Sequence, residues 1–391
     1  MSRHPGCQRS VLVVGDGLTA AATAGFLDGA GLDPVVAPPP SRRQSTGVAL
    51  LWRPGLVLLE RIGLRRPIER LGEVVTCRRC LTTDRSWTVE AAGLAEEDGT
   101  TRQSTLVAID RSRLASLLES HVLSALRRTD RAVTAVDPTA GGLRASFAGG
   151  VTESFDAVVT TSRPLLRSCE PTPAGVGWWQ FRWPDGTQSP PAPAELWSDR
   201  RAALFAPGGD GDAGVDVRLV STAETDAASA LSTAALDRQF GDLFDDQPTP
   251  FEALDPQRLQ YRRLPRPVPT TLSDGGLVLV GVASRSTIPG DGLGAARGIE
   301  DAWIVADSLA YGPDEVAAAV DDAERRRRQR AREYVAAVAA AAEADPPVDS
   351  GRQPTDGSPW LRQLRARRRL AFGHTRDRRL PPVAESIPQQ L

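Results

Sequence analysis

VLVVGDGLTAAATAG, residues Val11 to Gly25, puts a strand, a turn and a helix in one fixed order. The four apolar residues Val11 to Val14 predict a buried parallel strand. Gly15, Gly17 and Ala20 follow at the spacing of a dinucleotide-binding turn, and Thr19 to Leu27 predicts a helix. A strand that stops on glycine and turns into a helix aims backbone N–H groups and the positive helix end at one place, which suits a pyrophosphate. Gly15 permits the tight turn and Gly17 lets a phosphate approach the backbone. Ala20 is small enough for helix and strand to pack.

The remaining 376 residues are bounded by composition (391 in all, 41% hydrophobic, 25% charged), which is that of a soluble globular chain with room for a large core. The net charge of −2 excludes a general attraction to nucleic acid or anionic membrane. All 47 basic residues are arginine, so Schiff-base and lysine general-base mechanisms are excluded. Four cysteines, Cys7, Cys77, Cys80 and Cys169, are too few for a disulfide scaffold. Cys77 and Cys80 form a lone CxxC, and His4, His121 and His374 are scattered, so the pair reads as ordinary thiols and no metal site is expected. No signal peptide and no run of ~20 apolar residues is present, from which a cytoplasmic location and no integral membrane segment are expected.

Further along, Asp33 to Val36 predicts a second strand that runs into Pro38, Pro39 and Pro40. The position that usually carries a ribose-binding acid falls on Ala37, and Arg42 and Arg43 follow, able to face a phosphate or to sit in solvent. PGLVLLERI, Pro54 to Ile62, predicts a helix, and Trp87 to Glu90 a strand. Asp110 to Leu126 predicts an amphipathic helix with Leu114, Leu117, Leu118, Val122 and Leu126 on one face. Arg111 and Arg113 lie in its first turn, against the helix dipole, which fits either an anionic partner or a surface salt bridge. Ala132 to Val136, Leu143 to Phe147 and Ala157 to Thr161 predict strands completing the nucleotide-binding layer.

From Ser168 to Gln260 the chain becomes rich in Pro, Gly and Trp, with strands at Val176 to Trp183 and Val215 to Val220 and a helix near Thr225 to Phe240. Trp178, Trp179, Trp183 and Trp197 read first as core and second as a pocket lining. GLVLV, Gly276 to Val280, is another short strand, followed by Gly281, Pro289, Gly290, Gly292, Leu293, Gly294 and a helix from about Ala295 to Leu309. A second helix N-terminus is thereby offered to the same ligand. Asp314 to Ala342 predicts a helix with Arg325 to Arg328 exposed. Acidic neighbours and the absence of an aromatic platform argue against nucleic acid there. The tail from Asp345 reads as loosely held, with a short helix around Leu361 to Leu370.

These pieces, in this order, resemble the FAD-dependent aromatic-ring monooxygenases of the para-hydroxybenzoate hydroxylase fold. VLVVGDGLTAA is similar to their first FAD fingerprint, LWRPGLVLLERIGL (Leu51 to Leu64) to their helical L-x-P segment, and IDRSRLASLL (Ile109 to Leu118) to their arginine-bearing helix start. GWWQFRW and ELWSDRRAALFAP resemble the substrate-covering sheet, and LVLVGVASRSTIPGDGLGAARGIEDAWIVADSLA, Leu277 to Ala310, is the nearest match. The resemblance implies an α/β (α+β) fold, a Rossmann-like FAD-binding domain with an interleaved β-sheet substrate domain and C-terminal helices. The FAD-binding parts would be 10–75, 106–168 and 271–345, the substrate-sheet parts 76–105 and 169–270, and the loosely ordered tail 346–391. FAD would be held by Gly15, Gly17, Leu18, Thr19, Ala20, Arg43, Arg111, Gly281, Gly290, Gly292, Leu293, Gly294 and Ala295, with Arg111 at the phosphate region and NAD(P)H as co-substrate. The implied activity is hydroxylation or epoxidation of a small apolar or aromatic substrate through a flavin hydroperoxide, with the catalysis resting on positioning rather than on a side-chain acid or base. The chain departs from the family at three carboxylate positions, now Ala37, Val282 and, within Thr160 to Arg163, Ser162. Each lost hydrogen bond to a ligand hydroxyl costs ~1–3 kcal/mol, so FAD could be weakly held or lost. The alternative is therefore a relative that binds another ligand or a partner without redox chemistry.

Overall fold

The computed structural model describes residues 9–40, 47–81, 87–91, 106–161, 173–184, 188, 192–198, 200–208, 214–222, 230–244, 249–265, 273–274, 276–281, 293–343 and 359–372. At its centre is β1 (Ser10–Val14), flanked in parallel by β2 (Asp33–Ala37) and β12 (Ala157–Thr160), with Val11 opposite both Pro34 and Ala157. β8 (Arg127–Arg128) extends the sheet beyond β2. On the other side β19 (Leu277–Leu279) pairs in parallel with β12 and carries the antiparallel edge strand β18 (Ser273–Asp274). The unbroken apolar run of β1 has a physical cause: both faces are covered. Val11 and Val13 pack with α1 (Leu18–Gly29) and α6 (Gly294–Tyr311), whereas Leu12 and Val14 pack with a separate sheet.

That separate sheet consists of β9 (Val133–Thr139), β10 (Gly142–Phe147) and β11 (Thr152–Phe155), all antiparallel. The sequence expectation that the strands at 132–136, 143–147 and 157–161 all complete the nucleotide-binding layer is corrected: only the last, β12, joins it, and β11 was not expected. The connections are hairpins, too short for the crossover a parallel neighbour needs, and β10 alternates buried and exposed residues as a one-sided strand does. Its Leu143, Ala145 and Phe147 cover Leu12 and Val14.

A third sheet joins β3 (Val48–Trp52), β7 (Leu106–Asp110) and β4 (Glu73–Val74). The fourth has seven strands in the order β17 (Gln260–Pro265), β13 (Pro173–Arg182), β16 (Val215–Ser221), β15 (Arg201–Pro207), β14 (Ala194–Trp197), β5 (Cys77–Leu81) and β6 (Trp87–Ala91). Strands from two distant stretches of chain thus share one sheet. Its outer face carries Trp179, Phe181, Trp183 and Phe205 against Phe240 and Phe244 of α5 (Thr233–Phe244). The rings meet edge to face, with centroids 5.3 Å apart for Trp179–Phe240 and 6.1 Å for Phe205–Phe244. Trp179 Nε1 donates to Ala230 O at 2.7 Å. Trp178 is buried on the opposite face with Val176, Leu204 and Val220. Three of the four tryptophans are therefore core, and Trp197 is half-buried.

α2 (Arg53–Glu60) and α3 (Arg65–Leu71) lead to β4, and α4 (Arg111–His121) follows β7. α4 stops well before the expected end: Leu123–Ala125 is a 3-10 turn and Leu126 is extended on entering β8. Pairing of β8 with β2 overrides the helical spacing of Leu126. α5 starts at Thr233, later than the periodicity suggests. In α7 (Val316–Glu343) the expected exposed run Arg325 to Arg328 is split: Arg325 and Arg328 are exposed, Arg326 is half-buried and Arg327 is wholly buried. Four consecutive residues sweep most of the way around a helix, so one of them faces inward. α8 (Pro359–Phe372) is packed rather than loosely held, with Leu364, Ala366 and Leu370 buried and Arg368 paired with buried Glu195 of β14.

Cys77 and Cys80 are free thiols, and three residues apart on a strand they point to opposite faces. Among the described residues no cluster of His, Cys, Asp and Glu could hold a metal ion, and no helix is long and apolar enough to cross a membrane.

Candidate functional site

The first glycine corner lies where β1 gives way to α1. Gly15 N donates to Ala37 O at 3.0 Å and Thr161 N donates to Val14 O at 2.9 Å, so the turn is held from both neighbouring strands. A Cβ on Gly15 would overlap the Thr161 hydroxyl and stand 2.7 Å from the Ala20 methyl. Gly17 differs. It is the N-cap of α1 in extended conformation, no side chain caps the helix, and a Cβ there would meet nothing within 4 Å. The first N–H groups of α1, from Leu18, Thr19 and Ala20, thus lie at a positive helix end that the N-cap residue does not cap.

The second corner lies at the end of β19. Val280 N donates to Thr160 O at 2.9 Å, and the chain then turns at Gly281 with φ +67°. A side chain at Gly281 would be strained by that φ and blocked by Thr19, whose Oγ1 is 2.9 Å from the ideal Cβ position. α6 starts at Gly294 with Leu293 as a buried N-cap whose own side chain makes no capping hydrogen bond. Gly298 of the same helix faces Thr19 as well. The end of β19, the start of α1 and the first turns of α6 thus converge on one threonine. Arg43, Gly290 and Gly292, expected at the site, lie outside the described residues, as do Ser162 and Val282.

A cluster of charge gathers where the start of α4 meets the seven-stranded sheet. Asp110 N-caps α4, accepting from Ser112 N at 2.8 Å and Arg113 N at 3.2 Å. Partial burial pushes its carboxyl up, but these amides and the Ser112 hydroxyl outweigh burial and hold it below the usual range. Arg113 is exposed; Arg111 is half-buried, and its backbone N donates to Gly47 O at 2.9 Å. Desolvation, then the nearby charge of Arg218, lowers the Arg111 pKa to about 10, with Arg262 adding to the effect and Asp216 opposing it. Arg218 pairs with Asp216 at 2.9 Å and donates to Val48 O at 2.6 Å. Gln180 Nε2 donates to Asp216 Oδ1 at 3.1 Å.

Gln180, Asp216, Arg218 and Arg262 lie on the face of the seven-stranded sheet opposite the aromatic core, as their alternation with Trp179, Val217, Leu219 and Tyr261 requires. Arg218 was not anticipated as a site residue. Its signal lies in VDVRLV, Val215 to Val220, where two charges alternate with apolar residues in a wholly buried strand. Ala37, at the place of the usual ribose-binding acid, packs with Leu12, Val14 and Val133.

Two buried ion pairs join α6 to α7. Arg330 Nη2 meets Glu300 Oε1 at 2.6 Å, and Arg327 Nε meets Asp301 Oδ1 at 3.2 Å. Burial raises the Glu300 carboxyl above the usual range although Arg330 pulls it down.

No family model matches the sequence, and no curated protein is similar to it in sequence. Solved structures are similar in fold. HpxO of Klebsiella pneumoniae, complexed with FAD and uric acid, superimposes with a TM-score of 0.67 at 17% identity, covering 93% of this chain and 89% of that one. The tetrameric form of 2-methyl-3-hydroxypyridine-5-carboxylic acid oxygenase gives 0.65 at 17% identity, covering 93% and 98%. Tetracycline destructase Tet(51) gives 0.60 at 14% identity, covering 96% and 100%. The chain shares the fold of these proteins along nearly its whole length, and the expected α/β architecture with an interleaved sheet is the observed one.

Proposed function

We propose that the chain is an FAD-dependent monooxygenase that uses NAD(P)H and hydroxylates or epoxidises a small aromatic or apolar substrate. The observation that carries this reading is the meeting of both glycine corners at Thr19, beside the open space at Gly17. The residues present fit the cofactor's pyrophosphate through the main chain: Gly15 shapes the turn, and the amides of Gly17, Leu18, Thr19 and Ala20 would donate to it. The N-terminus of α6 offers a second positive helix end on the side of Gly281.

Bound FAD would accept hydride from the nicotinamide and activate dioxygen for transfer to the substrate. The chain's own residues orient and shield. Arg111 and Arg218 gather positive charge where the start of α4 meets the sheet, and an anionic part of cofactor or substrate would be held there. Trp178, Leu204 and Val220 keep the neighbouring part of that sheet face apolar and dry. HpxO, which shares the fold, was crystallised with the heteroaromatic uric acid, which supports an aromatic substrate here. A cytoplasmic enzyme acting on a small molecule, with neither nucleic acid nor a membrane segment, completes the reading.

Purified protein is expected to show the flavin band, at about 450 nm for oxidised FAD, or to acquire it on reconstitution, and then to oxidise NAD(P)H at the expense of oxygen. Colourless protein that takes up no added FAD overturns the proposal in favour of a ligand-binding or interaction protein.

A further inference from the structure

Arg327 is the buried exception in an exposed arginine run, and its contacts lie at the second glycine corner. Its side chain is 0% exposed. Nη2 donates to Leu279 O at 2.7 Å and to Asp301 Oδ2 at 3.2 Å. Leu279 ends β19 two residues before Gly281, and Asp301 lies on α6 one turn after Gly298. Gly281 and Gly298 are the two glycines that Thr19 abuts. One guanidinium from the outer helix α7 therefore ties together both segments that close on the first corner.

A buried ion pair is a poor route to stability, because apolar residues of similar volume often do as well or better. This pair is also incompletely satisfied: Arg327 Nη1 is buried with no hydrogen-bond partner among the described residues. A pair that is no efficient source of stability, yet bridges the two segments meeting Thr19, is accounted for by geometry. We infer that Arg327, with Asp301, is the positioning residue of the second glycine corner, holding Gly281 and Gly298 in the register at which α1 and α6 can grip one ligand. The inference rests on the reading of that site as the FAD site.

The test replaces the pair by apolar residues, R327M/D301L, and separately shortens the reach with R327K. FAD titration by fluorescence, thermal melting and amide hydrogen exchange over the peptide 277–281 are read together. The double variant is expected to melt at or above the wild-type temperature, to bind FAD about ten-fold more weakly, the scale seen when a supporting partner of a ligand-holding group is lost, and to exchange faster at 277–281. R327K keeps the charge beside Asp301 but gives up the hydrogen bond to Leu279 O. It is expected to fold and to show the same two losses, which keeps the test decisive if the double variant does not fold. Wild-type FAD affinity and wild-type exchange in either folded variant overturn the inference. If the wild-type protein itself takes up no FAD, the functional proposal fails, and the exchange measurement alone decides whether Arg327 braces the corner.

Discussion

Thr19 of α1 stands so close to Gly298 of α6 that a methyl carbon added to Gly298 would lie 2.5 Å from Thr19 Oγ1 and 3.5 Å from the Gly281 Cα. Two helix starts and a strand end, far apart in the chain, share one point of contact, the Thr19 side chain. In the proposed reading, two positive helix ends would thereby be offered to one ligand, which neither corner achieves alone.

Gly298→Ala is expected to force α1 and α6 apart. Overpacking of this kind costs ~1–3 kcal/mol, which urea denaturation would show as a lower midpoint at unchanged m-value. Thr19→Ala removes the atoms in the way, so the double variant should recover at least half of that loss. Additive losses would mean that the two residues do not press on each other.

Gly15 and Gly17 should separate fold from binding. Gly15→Ala meets the Thr161 hydroxyl and the Ala20 methyl, and is expected to destabilise the protein and abolish FAD uptake together. Gly17 has φ −117°, which any residue adopts, and open space where its Cβ would point. Gly17→Ala should therefore melt like wild type while binding FAD at least several-fold more weakly. Full FAD affinity in Gly17→Ala would place the pyrophosphate elsewhere.

The two corners were legible because each is a local signal: apolar strand, glycines and helix lie within a short stretch. Residues whose role depends on a distant partner were not. Nothing local distinguishes Arg327 from Arg325 or Arg328; the carbonyl of Leu279 and the carboxylate of Asp301 make it a buried residue. Arg218 is likewise defined by Asp216 beside it and by Val48 on another sheet. β9 and β10 read as strands from the sequence but not as members of their own sheet, because alternation reveals that one face is buried and not what covers it. Leu126 fits a helical face, yet sheet pairing just beyond it prevails.

Arg111 offers a test by charge. A base whose folded pKa is below its unfolded value binds fewer protons in the folded state between about 10 and the ordinary arginine value. Stability attributable to it therefore rises with pH across that window, and the penalty is fully present at neutral pH. Arg111→Gln removes the penalty along with the contacts of the side chain, so the urea midpoint should shift by less than ~1 kcal/mol equivalent. Affinity for FAD should fall about ten-fold and depend less on salt, as expected when one charge-assisted contact is lost. An unchanged salt dependence would remove Arg111 from the ligand site.

The pair Glu300–Arg330 tests the support beneath α6. Both side chains are almost wholly buried, and Arg330 also meets Glu333 at 2.7 Å. Arg330→Met leaves a carboxyl enclosed without its counter-charge, which costs ~3–5 kcal/mol when the carboxyl is ionised. An acid whose folded pKa is raised contributes stability fully at low pH and loses it as pH rises through the folded pKa. Burial already raises Glu300, and losing Arg330 raises it further. The variant should therefore approach wild-type stability at about pH 5, near the ordinary glutamate range, and fall clearly below it by neutral pH. Adding Glu300→Gln removes the ionisable group and should flatten that pH dependence. Equal losses at both pH values, with or without the second change, would show that Arg330 supports α6 by packing alone.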